Sequence, residues 1–159
     1  MGKKNGVNIM LFVLIIILIG ILSCSKGSKN QTEGILLQTD RDFSSMSVKE
    51  GMHKAYLFYV ADDGVILREN SAPAKSKKML EARFAVKSDT SFVLSWVPMY
   101  EKVTESGDLG YTYGIQTRNY KTSGEIIKGT YVTIWQKQID GSWKIVLHSE
   151  NRGLLESSE

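Results

Sequence analysis

Few groups in this chain are able to carry chemistry. His53 and His148 are the only histidines and Cys24 is the only cysteine. Neither histidine has metal-ligand spacing around it, and a single cysteine excludes an internal disulfide and a cysteine-based zinc site. No glycine-rich phosphate loop and no serine nucleophile elbow occurs. Two side chains stand out as candidate catalytic groups. Asp40 falls on the apolar side of a helical pattern, between Leu36 and Phe43. A carboxylate buried there needs a partner, and it either lines a pocket or holds a neighbouring backbone N–H. His148 lies on the last strand pattern. It acts there as an acid, base or ligand partner near the pocket mouth, or as a partly exposed strand histidine with one local hydrogen bond. Tyr56, Tyr59, Trp96, Tyr111, Tyr113, Tyr131 and Trp135 supply apolar bodies with polar tips, suited to a core or to a pocket wall.

The elements that must position these groups follow from periodicity. Residues 33 to 47 read as a helix, with Leu36, Asp40, Phe43 and Ser47 on one face. Ser47-Val48-Lys49-Glu50 resembles a capping box that opens a second helix with an apolar stripe of Met52, Ala55, Tyr56 and Tyr59. Asp62-Asp63-Gly64 reads as a turn, and Val65 to Glu69 as a short strand. Ser76 is placed to cap a third helix, about residues 77 to 86, burying Leu80 and Phe84. Period-two patterns then begin at Phe92, Leu109, Gly129 and Trp143, with a kink expected near Pro98 and a tight turn at Asp140-Gly141. Helices gathered first and an antiparallel meander after them predict an α+β domain. The strands are apolar on both faces, so a homodimer through the outer sheet face is expected.

The first 24 residues have a different character. Lys3 and Lys4 precede the run Ile9 to Leu22, which Ser23 and Cys24 end. A positive start followed by an apolar stretch shorter than the roughly 20 residues of a spanning helix reads as a secretory signal. Residues 25 to 32 are small and polar, as in a flexible tether. The whole chain of 159 residues carries a formal charge of +3, and Lys3 and Lys4 contribute two of those charges. No basic run interleaved with aromatics appears, so no nucleic-acid partner is expected.

Two resemblances sharpen this reading. Ile21-Leu22-Ser23-Cys24 resembles the bacterial lipobox, which implies cleavage before Cys24 and lipidation of its sulfur. The segments Tyr59 to Val65, Trp96-Val97-Pro98, Ser106 to Gly114, Gly129-Thr130-Tyr131 with Trp135, and Asp140 to Val146 resemble the SnoaL-like branch of the nuclear transport factor 2-like superfamily. That superfamily also includes ketosteroid isomerase. The resemblance implies a cone of three N-terminal helices packed on a curved, mainly antiparallel sheet, with a pocket at its open end. Isomerase chemistry in such a cone needs a base near the end of the first strand, where this chain has Arg68 and Glu69; Glu69 reaches the position only with a one-residue slip.

The expected organisation is a signal peptide over 1–23, a tether over 24–32, a SnoaL-like domain over 33–155 and a tail over 156–159. The expected function is a cell-envelope lipoprotein held to a bacterial membrane by the lipid on Cys24. Its domain is read as a non-enzymatic module for a small apolar or amphipathic ligand, with Tyr56, Trp96, Tyr113, Trp135 and His148 lining the pocket. No metal and no cofactor is expected. One alternative is a metal-free isomerase, cyclase or hydratase drawing on Asp40, Glu69 and His148, with Tyr113 as a further polar group. The other is a dimeric interaction protein.

Overall fold

The computed structural model describes residues 34–86 and 91–154. The signal segment, Cys24, the tether and the tail lie outside the described residues. Two helices come first, α1 (Ile35–Glu50) and α2 (Met52–Tyr59), followed by β1 (Val60–Leu67) and α3 (Lys77–Ala85). Four long strands complete the domain: β2 (Phe92–Val103), β3 (Leu109–Tyr120), β4 (Ile126–Lys137) and β5 (Trp143–Arg152). They form one sheet in the order β1-β5-β4-β3-β2, antiparallel except for the β1–β5 pair. No helix among the described residues is long and apolar enough to cross a membrane.

Helix α1 runs three residues past the boundary that its sequence suggests. Ser47 does not cap a second helix; its Oγ donates to the Leu94 carbonyl at 2.7 Å. The break comes at Gly51, whose φ of 94° lies in the left-handed region that glycine adopts without steric cost. One turn earlier, the Ser44 Oγ donates to the Trp96 carbonyl and accepts from the Trp96 N–H, both at 2.8 Å. Strand β2 is an edge of the sheet, and an uncovered edge invites pairing with another chain. The two serines satisfy part of that edge from inside. The helix N-terminus is fixed by the same strand. The Glu101 carboxylate accepts from the Gly34 N–H and, at 2.6 Å, from the Leu37 N–H, where the helix dipole favours negative charge.

The Asp62-Asp63-Gly64 segment is a bulge within β1, and the chain does not turn there. Val60 pairs with Ile145 and Val65 with Leu147, so the register slips between them. Gly64 is required at that point: a Cβ would lie 2.5 Å from the Ile145 carbonyl oxygen. Ser76 caps α3, its Oγ accepting from the Met79 N–H at 3.2 Å, and Leu80 and Phe84 are buried. The register of β2 on β3 shifts between Pro98 and Tyr100, beside the proline that cannot donate to the ladder. Strand β4 starts at Ile126, three residues before the alternation becomes visible in the sequence.

The helices and the inner sheet face enclose one core. Phe43 is its hub, with ring centroids 4.4 Å from Trp96, 5.0 Å from Tyr56, 4.9 Å from Tyr59 and 6.1 Å from Trp135. Leu36, Phe43, Tyr56, Ile66, Leu94, Trp135 and Ile145 are each at most 1% exposed. Burying a side chain of this size contributes about 2 kcal/mol. The interior beneath α1 is therefore filled by the protein's own aromatics.

Candidate functional site

Asp40 faces the centre of that interior from α1 and is fully buried. The Trp96 Nε1–H donates to its Oδ1 and the Tyr131 hydroxyl to its Oδ2, each at 2.7 Å. Burial pushes its carboxyl above the ordinary value, while the hydrogen bonds from Tyr131, Thr112 and Trp96 pull the other way. Both carboxylate oxygens are occupied, and neither is presented to a ligand.

His148 lies on β5, and its imidazole stacks on the Tyr131 ring with centroids 6.0 Å apart. Its Nε2 pairs with the Tyr56 hydroxyl and its Nδ1 with the Thr133 Oγ1, each at 2.9 Å. A neutral imidazole offers one donor and one acceptor, and the two hydroxyls complement both. Burial is the main cause that lowers its pKa to about 4, with Arg68 and Arg118 adding to the shift and Glu150 opposing it. The imidazole is neutral at neutral pH.

The aromatics expected at the pocket divide between the interior and the outer sheet face. Tyr56, Trp96 and Trp135 are interior, and the Trp135 Nε1–H donates to the Thr112 Oγ1 at 2.9 Å. Tyr113 alternates with the buried Thr112 and so lies on the outer face, 45% exposed and stacked on Tyr100 at 5.4 Å. It does not line the interior, which corrects the expectation. Glu69 also stays outside the core. Its Oε2 accepts from the Arg152 Nε–H at 2.5 Å on the rim of the domain. The three candidate catalytic groups therefore do not converge: Asp40 and His148 are packed inside, and Glu69 is paired at the surface.

Open space lies at the end of the sheet where β1, β3 and β5 finish. A pocket of about 180 Å³ is lined by Arg68, Glu69, Ser71, Phe92, Arg118, Tyr120, Glu150 and Arg152. Arg118 and Glu150 are buried. The Arg118 Nη2–H donates to the Glu150 Oε1 at 2.5 Å, and the Arg68 Nε lies 3.8 Å from the same oxygen. The Arg68 guanidinium covers the Tyr56 ring at 4.9 Å, so Tyr56 and His148 lie directly beneath this cluster. Sequence reasoning missed Arg118 and Glu150. Their signal was parity: Arg118 continues the buried series Thr112, Gly114 and Gln116 on β3, and Glu150 follows His148 by two on β5.

Among the described residues no three His, Cys, Asp or Glu side chains converge as a metal-binding group. A second open region of about 350 Å³ lies on the outer sheet face, between Met99, Tyr113, Ile115 and Val132.

Comparison with known proteins gives the class by fold. No protein-family model and no curated protein matches the chain. Solved structures do. A ketosteroid isomerase-like protein from Erwinia carotovora atroseptica superposes with a TM-score of 0.58 at 16% identity, over 76% of this chain and 96% of that one. An NTF2-like protein with a cystatin-like fold from Novosphingobium aromaticivorans gives 0.58 at 12% identity, over 94% and 90%. A Mycobacterium tuberculosis protein, solved in complex with estradiol-17beta-hemisuccinate, gives 0.53 at 16% identity, over 74% and 94%. The domain therefore has the nuclear transport factor 2-like, ketosteroid isomerase-like fold: helices packed on an open, mostly antiparallel sheet.

Proposed function

We propose that this chain is an envelope-tethered lipoprotein whose domain binds a small amphipathic molecule at the mouth of the sheet and catalyses no reaction on it. The observation that carries this reading is the occupation of the catalytic candidates. A metal-free isomerase, cyclase or hydratase needs a base and a donor meeting at one reachable point. Asp40 and His148 are instead satisfied within a closed core, while the mouth pocket joins charged groups to the rings of Phe92 and Tyr120. At about 180 Å³ it is smaller than the roughly 300 Å³ at which drug-sized sites begin, which favours a small ligand. The estradiol-17beta-hemisuccinate complex of a neighbour in fold gives an example of an amphipathic ligand held by this architecture. The envelope location rests on the lipobox resemblance at Cys24.

Two measurements test this. In a thermal-shift screen of neutral, anionic and cationic small molecules, a ligand at 100 times its Kd adds about 2.7 kcal/mol of stability. That gain should vanish in Ser71→Trp, which fills the pocket. No stabilising ligand, or an undiminished gain in the variant, contradicts the binding reading. Intact-mass analysis of the membrane fraction should find a lipidated N-terminus at Cys24, and Cys24→Ala should leave that fraction. An unmodified Cys24 contradicts the anchor.

A second reading has its own support. Val97, Met99, Tyr100 and Tyr113 are exposed together on the outer face of β2 and β3. A patch of this composition favours a homodimer through the sheet.

A further inference from the structure

Among the described residues, the mouth pocket has an excess of positive charge. Among the described residues that line it, Arg68, Arg118 and Arg152 face Glu69 and Glu150. Arg152 and Glu69 pair with each other at the rim. Deeper in, Arg68 and Arg118 share the single carboxylate of Glu150, and His148 beneath them is neutral. Hydrogen bonding is incomplete in the same cluster. The Nε atoms of Arg68 and Arg118 and the Oε2 of Glu150 are buried without a partner. Burying a charge without compensation is costly, and the Nε edge of a guanidinium is half of the fork that takes a carboxylate bidentately. Arg118 donates from its Nη2 to Glu150, while its Nε has no partner.

Resting on the binding reading above, we infer that the ligand is a small monocarboxylate, its carboxylate held between Arg68 and Arg118 and its apolar body against Phe92 and Tyr120. One negative charge balances the pocket; a phosphate dianion would exceed it. The two rings, 5.4 Å apart between centroids, form an apolar wall, and Arg118 already covers Phe92 at 5.6 Å. The orphan atoms are covered, so a ligand reaches them when a rim side chain turns. The Arg152 and Glu69 side chains, 38% and 49% exposed, are the movable ones.

Calorimetric titration of the full-length chain in detergent micelles tests this with benzoate, benzamide and inorganic phosphate as probes. Benzoate should bind and benzamide should not. Arg118→Gln and the more exposed Arg68→Gln should each weaken benzoate by about tenfold or more, the scale of a hydrogen bond to a charged group. Glu150→Gln, which removes the competing carboxylate, should tighten it. Equal binding of benzamide, no binding of benzoate, stronger binding of phosphate, or unchanged affinity in Arg68→Gln would each overturn the assignment. If neutral molecules from the thermal-shift screen bind this pocket while benzoate does not, the carboxylate assignment falls and the binding module stands. If neither binds, both fall.

Discussion

At the scale of single residues, residue type and spacing pointed to Asp40 as a buried carboxylate, but not to the partners of Asp40 or to the full burial of His148. Asp40 sits at an apolar helix position, so a buried carboxylate was expected; that Trp96 and Tyr131 satisfy it depends on residues more than 50 positions away. His148 makes the clearest quantitative case. Its folded pKa of about 4 lies below the ordinary 6.5. Between these values the unfolded chain binds the proton and the native domain does not. The stability contributed by neutral His148 is thus fully present above pH 6.5 and is lost as pH falls toward 4. The shift corresponds to roughly 3 kcal/mol at about 1.36 kcal/mol per unit. Asp40, whose pKa is raised, has the opposite sign: its contribution declines as pH rises through its folded value. Urea denaturation at pH 7 and pH 4.5 should show a smaller loss for His148→Gln than for the parent. An equal loss in both would show that His148 is not the group responsible.

At the scale of elements, the order and most boundaries were legible because periodicity and turn chemistry are local signals. The strand starts at Phe92, Leu109 and Trp143 and the Ser76 cap match the structure. The errors occur where a distant element takes over a local signal. Ser47 has the sequence of a helix cap, yet it is claimed by the edge of β2. Asp62-Asp63-Gly64 has the sequence of a turn, yet β5 captures it as a bulge. Glycine spacing within β3 also has a tertiary cause: a Cβ on Gly114 would lie 2.1 Å from the Val97 carbonyl oxygen, so the strand must stay bare where it crosses the kinked edge. The outer face of the same two strands bears on assembly. Sedimentation equilibrium in micelles should show a dimer for the parent chain and a monomer for Tyr113→Lys, since a charge in the patch must be desolvated on association. A parent chain that stays monomeric at high concentration would remove the dimer reading.

At the scale of the whole molecule, the fold class was legible and the candidate site only partly so. The resemblance implied three helices packed on a curved, mainly antiparallel sheet, and the structure has helices packed on an open, mostly antiparallel sheet. What could not be read was which side chains fill the cone. Phe43, Tyr56, Trp96 and Trp135 close it, and the mouth pocket lies at strand ends where arginine and glutamate join the rings of Phe92 and Tyr120. Arg118 and Glu150 are distant in sequence and become neighbours only through the order β5-β4-β3. The central claim is that ligand binds at this charged mouth. NMR titration of the full-length chain with benzoate, observing the arginine Nε–Hε signals, tests it most directly. Saturable shifts are expected for Arg68 and Arg118, with the ring signals of Tyr113 unmoved. Shifts at Tyr100 and Tyr113 with both arginines unchanged would contradict it.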